Sequence, residues 1–192
     1  MQLYDTNGRR KYLTPSERHD FIQASHAALQ QIRTFCGTLV HTGCRISEAL
    51  ALTADRVDFD DGVLIFESLK KRRKGIYRAV PVPPDFLATL DAIHNLRALR
   101  SGPEPDRSAQ LWLWSRTTGW RYVCAVMEAA GIAGLHATPK GLRHGFGIKA
   151  VVSNVPLNMT QKWLGHSKLT TTAIYADATG PEEEQLAERM WT

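Results

Sequence analysis

Three cysteines and the lack of any long apolar run limit what this chain can be. None of the cysteines lies in a Cys-x-x-Cys pair, so we expect neither a disulfide framework nor a zinc site. No apolar stretch approaches the roughly 20 residues that a membrane span needs. The N-terminal residues MQLYDTNGRRKYLT also lack a signal-peptide pattern. The sequence therefore predicts a soluble protein of the reducing cytoplasm, with no membrane partner.

Motifs for nucleotide-dependent or metal-dependent chemistry are missing as well. There is no glycine-rich phosphate-binding loop, and no carboxylate cluster has the spacing of metal ligands. The two acids nearest to the motifs below, Glu48 and Asp177, do not form a pair. We therefore expect chemistry that uses no cofactor, no metal ion and no ATP.

The chain does have apolar residues for one core and an excess of positive charge. Its 192 residues are 43% hydrophobic, which suits one globular domain. The net charge of +5 and the isoelectric point near 9.3 favour an acidic polymer as partner.

The pattern along the chain predicts a mostly helical α+β fold. Residues 1–11 have the composition of a polar tail. Thr14, followed by Pro15 and Glu17, is typical of a helix N-terminus. Apolar residues at helical spacing then continue to Gly43, and another helix follows Arg45.

Downstream, the period changes from helical to extended and back. Segments 63–66 and 76–82 alternate as strands and are joined by a basic hairpin, and 111–114 resembles a short buried strand. Helices are expected at 86–93 and 120–130, and throughout the remainder of the chain. The sum is a small antiparallel β-sheet of about three strands among helices.

Four residues stand out as a chemical set. Arg45 lies in TGCRISEAL, Arg143 in PKGLRHGFG, and His166 and Tyr175 in WLGHSKLTTTAIYA. Two arginines can hold the charge that develops on a phosphate in a transition state. A tyrosine can form the covalent intermediate. Together these residues suit the cleavage of a phosphodiester.

These motifs, in this order with a basic hairpin between them, resemble the catalytic domain of tyrosine recombinases, also called phage integrases. The resemblance covers nearly the whole chain. It implies a catalytic domain over residues 12–180 and a C-terminal helix over 181–192. That helix either packs on its own domain or docks on a neighbouring protomer.

The family's usual core-binding domain is missing from this sequence. The chain is similar to short recombinases that are little more than the catalytic domain, such as fimbrial inversion switches, and to small plasmid-borne integrases. A fragment of a longer protein would have the same sequence, and both interpretations stay open.

The resemblance implies a role for each residue of the set. Arg45 and Arg143 match the two arginines that bind the scissile phosphate, and His166 matches the histidine that donates a hydrogen bond to it. Tyr175 matches the nucleophile, which forms a 3′-phosphotyrosyl bond and releases a 5′-hydroxyl. Without the resemblance, Arg45 would be a surface arginine paired with Glu48, His166 a core or capping histidine, and Tyr175 a packed ring.

One position departs from the family pattern. The pattern His-x-x-Arg has Lys140 in its first place here. A lysine can favour the phenolate as a cation, or act as a base if burial lowers its pKa. His144 matches a histidine that is usually structural. Three further histidines are expected to be structural or solvated: His41, His94 and His136.

The basic hairpin is expected to provide the general acid. In the family a lysine at this place protonates the leaving 5′-oxygen, and Lys70 is the first choice, with Lys71 the alternative. The other basic residues are expected to bind DNA phosphates: Lys71, Arg72, Arg73 and Lys74.

The predicted function is site-specific recombination of double-stranded DNA through a Holliday junction in a tetrameric synapse. Two alternatives stay open: a type IB topoisomerase-like nicking and closing enzyme, and a DNA-binding regulator with an inactive site. A purely structural basic protein would leave the motif series unexplained.

Overall fold

The first helix begins where the sequence predicts it, at a capping box. The Thr14 hydroxyl accepts a hydrogen bond from the Glu17 amide, and the Glu17 carboxylate accepts one from the Thr14 amide. The structure is a computed structural model that describes residues 2–68, 75–176, 184, 187, 188, 190 and 191. The predicted basic residues Lys70, Lys71, Arg72, Arg73 and Lys74 lie outside the described residues.

The described residues form a mostly helical α+β fold, as predicted. A break at 27–29 divides the first predicted helical region into two helices, and Gly43 ends the second with a φ of 59°. The helices are α1 (Pro15–His26), α2 (Gln30–Thr42), α3 (Ile46–Leu50), α4 (Pro84–His94), α5 (Leu96–Ser101), α6 (Arg116–Ala129), α7 (Pro139–Val152), α8 (Leu157–Leu164) and α9 (Thr170–Ala173), with a 3-10 turn at Ala54–Arg56.

Three antiparallel strands form the sheet in the order β1-β2-β3. Their bounds are β1 (Val57–Asp58), β2 (Val63–Glu67) and β3 (Tyr77–Pro81). Leu64 pairs with Val80 and Phe66 pairs with Arg78, so one face of the sheet is buried and includes an arginine. The sheet places β3 next to α8, whose C-terminal end contains Trp163 and Leu164.

The predicted strand at 111–114 is wrong. The extended chain there makes one isolated bridge, between Thr53 and Gln110, and Leu111 donates a further hydrogen bond to the Leu52 carbonyl. Trp112 is buried, whereas Leu113 is 85% exposed. These residues have the apolar character of a strand, but they lack a neighbouring strand long enough to pair with.

The N-terminal segment is not a free polar tail. Tyr4 bridges to Arg10, and Leu3 and Tyr12 are buried in a second apolar cluster that also contains Tyr175. The main cluster lies between α1, α2, α6 and the sheet. Among the described residues, no helix is both long and apolar enough to cross a bilayer.

The predicted C-terminal helix at 181–192 lies mostly outside the described residues. Of the side chains that the structure describes there, Met190 is 85% and Trp191 is 75% exposed.

Candidate active site

Arg45 lies at the junction between α2 and α3. Its backbone is extended (φ −77°, ψ 148°), and its amide donates to Glu48 Oε2 at 2.8 Å. Its Nη1 donates to Glu48 Oε1 at 2.7 Å, and 25% of the side chain is exposed. The ion pair with Glu48 therefore exists. The Arg45 side chain is also mostly buried and close enough to the other residues of the set for its charge to lower their pKa values.

Arg143 lies on the buried side of α7 and joins two distant segments. Its Nη1 donates to the Gly43 carbonyl and its Nη2 to the Leu164 carbonyl, each at 2.7 Å. Burial, and then repulsion from Arg45, lowers the pKa of Arg143 to about 10. Arg143 is therefore charged at neutral pH, and it lies close enough to Arg45 for the charge of Arg45 to lower its pKa.

His166 follows Gly165, which ends α8 with a φ of 67°. The side chain is buried, and its Nδ1 is 2.9 Å from the Thr172 hydroxyl on α9. Within the described part of the chain, its Nε2 has no hydrogen-bond partner. Burial, followed by repulsion from Arg143 and Arg45, lowers the pKa of His166 to about 3. His166 is therefore neutral at pH 7, and it lies close enough to Arg143 and Arg45 for their charges to lower its pKa.

Tyr175 lies just after α9 and has no exposed surface. Its ring stacks on His166 with centroids 6.3 Å apart, and its hydroxyl is 3.2 Å from His144 Nδ1. Burial raises the pKa of Tyr175 to about 12, against the opposing effect of Arg143 and Arg45. The structure therefore brings the four residues of the predicted set together: Arg45, Arg143, His166 and Tyr175.

Lys140 and His144 lie one turn apart on α7. Lys140 is exposed, whereas His144 is fully buried. Burial, and then repulsion from Lys140, lowers the pKa of His144 to about 4. Lys140 therefore lies near the His144–Tyr175 pair. The proximity of His144 to the tyrosine hydroxyl could not be predicted from the sequence, because the two residues are 31 positions apart.

A cavity of about 250 Å³ lies between β3 and α8, beside His166. Ser68 and Ile76, the residues at the ends of the basic hairpin, line one side of it. Their backbones are paired by a 2.8 Å hydrogen bond from the Ser68 amide. The ends of β2 and β3 that flank residues 69–74 therefore lie at the edge of this cavity.

Arg78 is a residue of this region that the sequence analysis missed. It is 7% exposed, and its Nη2 donates to Glu48 Oε2 at 2.7 Å. Its signal in the sequence is the alternation along β3, where Arg78 occupies the same face as the buried Val80.

The other predicted structural histidines have partners away from this site. His94 Nε2 is 2.9 Å from the Thr34 hydroxyl, and His136 Nε2 is 3.1 Å from Glu17 Oε1. His41 packs against Phe86. Within the described ranges, no group of three or more His, Cys, Asp or Glu residues is arranged to hold a metal ion.

Known proteins resemble this chain along most of its length. A model of the phage integrase family matches residues 11–181. Tyrosine recombinase XerA from Pyrococcus furiosus is 28% identical over 184 residues, which cover 93% of this chain and 61% of that protein. XerA from Thermococcus kodakarensis is 31% identical over 192 residues, covering 94% and 64%.

Solved structures show the same fold. A crystal structure of XerA recombinase superposes with a TM-score of 0.77 at 23% identity, covering 93% of this chain and 64% of that one. XerH recombinase bound to its difH substrate gives a TM-score of 0.73 at 20% identity, covering 98% and 60%. The chain thus spans about three-fifths of the length of these relatives.

Proposed function

Because the chain belongs to the phage integrase family, we propose that it is a site-specific recombinase that cleaves and rejoins double-stranded DNA. The observation that carries the proposal is the stacking of Tyr175 on His166 beside the two arginines. The named relatives are tyrosine recombinases, and structural neighbours such as XerH are bound to DNA. Both facts favour recombination over a nicking and closing enzyme.

In the proposed reaction Tyr175 Oη attacks the scissile phosphorus. The Oη–P bond forms, the bond from phosphorus to the 5′-oxygen breaks, and the DNA keeps a 3′-phosphotyrosyl link. Arg45 and Arg143 hold the charge that grows on the non-bridging oxygens, and His166 Nε2 donates to one of them. Attack by a 5′-hydroxyl from another strand reverses the step, so no ATP is required.

Two protons move in this step. The tyrosine proton passes to solvent water, because Lys140 and the arginines favour the phenolate electrostatically. The departing 5′-oxygen takes a proton from Lys70, which is two residues after Ser68 in the sequence. Ser68 lines the cavity beside His166. Lys71, Arg72, Arg73 and Lys74 then bind neighbouring phosphates. Because Tyr175 has no exposed surface, its side chain must leave the contact with His144 before it can reach DNA.

The test is the formation of a covalent adduct on nicked suicide duplexes that carry candidate sites from the DNA flanking the coding gene. We expect a protein–DNA band on a denaturing gel in the presence of EDTA. Tyr175→Phe should bind the duplex but give no adduct. Tyr122→Phe, which changes a tyrosine that packs on Trp114, is the matched control and should give the wild-type yield.

A normal adduct yield from Tyr175→Phe would contradict the assignment of the nucleophile. Tight binding without an adduct from the wild-type protein would contradict the enzymatic function and favour a regulator. Relaxation of supercoiled DNA that carries no specific site would favour a nicking and closing enzyme.

We also propose that four protomers assemble on DNA and that the C-terminal segment docks on a neighbouring protomer. The exposed side chains of Met190 and Trp191 support this proposal, because large apolar groups are usually covered in an assembly. Trp191→Ala should keep the adduct yield on single sites but reduce paired-site complexes in mass photometry. Trp120→Ala, at a tryptophan that is 44% exposed, is the control. Equal assembly by both variants would contradict the docking role.

The proposed place of action is the cytoplasm, on nucleoid or mobile-element DNA of a bacterium. The domain limits of 12–180 and 181–192 are part of the same proposal.

A further inference from the structure

Arg78 is a buried arginine that lies outside the family motifs. It is 7% exposed on β3. Its Nε donates to the Trp163 carbonyl and its Nη2 to Glu48 Oε2, both at 2.7 Å. A guanidinium is rigid and planar, so two hydrogen bonds in different directions fix the relative position of their acceptors.

Glu48 transmits this constraint to Arg45. Its Oε2 accepts from both Arg78 Nη2 and the Arg45 amide, while its Oε1 accepts from Arg45 Nη1. The Glu48 side chain is 1% exposed, so its carboxylate depends on these partners and has almost no contact with solvent. Arg78 therefore helps to hold both the backbone and the guanidinium of Arg45.

On its other side Arg78 supports the turn that carries His166. The Trp163 carbonyl that it binds lies three residues before His166. Gly165 packs directly on the guanidinium, because a Cβ at Gly165 would lie 3.1 Å from Arg78 Nη1. Any movement of Arg78 would therefore displace this turn.

Arg143 makes a parallel connection between the same two segments. It links the Gly43 carbonyl to the Leu164 carbonyl, while Arg78 links Glu48 to the Trp163 carbonyl. Segments 43–48 and 163–166 are thus joined by two guanidinium groups. Only one of them, Arg143, is in the set assigned to the phosphate.

We propose that Arg78 is a positioning residue for DNA cleavage, which holds Arg45 and His166 at the separation that one phosphate group requires. The inference rests on the proposed function, because it concerns the same phosphate. Arg78 acts through Glu48 and the Trp163 carbonyl. A shift of about 1 Å in a reacting geometry can cost about a hundredfold in rate.

The test compares the wild-type protein with Arg78→Met on the suicide duplex that gives the wild-type adduct. We expect Arg78→Met to slow single-turnover cleavage about a hundredfold, with a DNA dissociation constant within about threefold of wild type. The same duplex is then made with a neutral methylphosphonate at the scissile position. There the difference between the two proteins should fall below about tenfold, because a displaced Arg45 has less charge to stabilise.

The methylphosphonate result separates positioning from a general weakening of the fold. If the hundredfold difference persists on that substrate, Arg78 does not act through the charge on the phosphate and the inference is wrong. Cleavage of the ordinary duplex by Arg78→Met at the wild-type rate also overturns it. If the wild-type protein itself forms no adduct, the proposed function fails and this inference fails with it.

Arg78→Lys serves if the methionine variant does not fold. A lysine keeps a positive charge beside Glu48 but cannot bind Glu48 and the Trp163 carbonyl in one plane. We expect Arg78→Lys to bind DNA like wild type and to cleave it about tenfold more slowly. On the methylphosphonate duplex its difference in rate from wild type should again become smaller. Wild-type cleavage by Arg78→Lys together with an unfolded Arg78→Met would show that the role is only structural.

Discussion

At the residue scale, Tyr175 is held inside the fold by contacts with α7. Its ring lies directly over a glycine of α7, because a Cβ on Gly147 would be 2.5 Å from Tyr175 Cζ. The hydroxyl lies 3.2 Å from the buried His144. The structure therefore buries the proposed nucleophile, and in the proposed reaction its contact with His144 has to be exchanged for one with phosphorus.

The proposed general acid gives a prediction at the same scale. Lys70→Ala should slow cleavage of an ordinary suicide duplex by about a hundredfold or more, because the 5′-oxygen then leaves without a proton. A duplex with sulfur in place of that bridging oxygen should be cleaved at nearly the wild-type rate, since a thiolate leaves without protonation. The measurement is single-turnover adduct formation on both duplexes.

Lys71→Ala is the matched control for this experiment. It should cleave both duplexes like wild type and show only weaker, more salt-sensitive binding. If the sulfur substrate rescues Lys71→Ala instead, the acid is Lys71. If it rescues neither variant, the proton comes from elsewhere.

The sequence predicted the residues of the motifs but not all of their neighbours. Arg45, Arg143, His166 and Tyr175 could be named because each lies in a recognisable local pattern. Arg78 could not, since its importance depends on contacts with Glu48 and Trp163, which lie 30 and 85 residues away in the chain. The alternation along β3 predicts only that the arginine faces the core.

At the scale of elements, α7 depends on close contact with the chain that precedes it. A Cβ on Gly141 would lie 1.8 Å from the His136 carbonyl oxygen. Gly141→Ala should therefore displace the start of the helix that carries Arg143, and it should lower the free energy of unfolding by about 2–4 kcal/mol. Urea unfolding followed by circular dichroism measures this effect.

Gly62→Ala is the control for the helix-start variant. It lies in the turn before β2 with a φ of 67° and open space around the added methyl group. This substitution should lower the free energy of unfolding by only about 1 kcal/mol, because only the backbone conformation is unfavourable for alanine. Equal losses in the two variants would mean that the contact with His136 is not the cause.

The elements differed in how well the sequence predicted them. Thr14 and Gly43 marked helix ends correctly, because caps are local interactions. The segment 111–114 has the apolar character of a strand but is not one, because a strand also needs a partner. The contacts of Gln110 with Thr53 and of Leu111 with Leu52 do not continue along the chain. Local patterns do not contain that information.

At the scale of the whole molecule, burial keeps several histidines neutral. It is the largest cause that lowers the pKa to about 4 for three of them and to about 3 for the fourth: His41, His94, His144 and His166. In the unfolded chain each would bind a proton near pH 6.5. The unfolded state therefore binds more protons below that pH, and the folded state loses stability as the pH falls towards 4.

We therefore expect the folded protein to lose stability at pH values well above those at which carboxylates titrate. The urea midpoint should fall steadily between pH 7 and pH 4.5, with each histidine contributing at most about 1.4 kcal/mol per pH unit. His94→Gln replaces the partner of Thr34. It should reduce the slope of the unfolding free energy against pH by up to the contribution of one proton. A midpoint that is constant over this range would show that these histidines are protonated in the folded protein.

The hydrogen bond from Arg143 to the Gly43 carbonyl closes a loop of 100 residues, and that from Arg78 to Trp163 spans 85. During synthesis Arg45 therefore leaves the ribosome long before the partners that would position it exist. Under the proposed function, this topology delays competence for DNA cleavage until the last contacts of the fold have formed, so a chain that is still being synthesised would hold the arginine without the arrangement that cleavage needs.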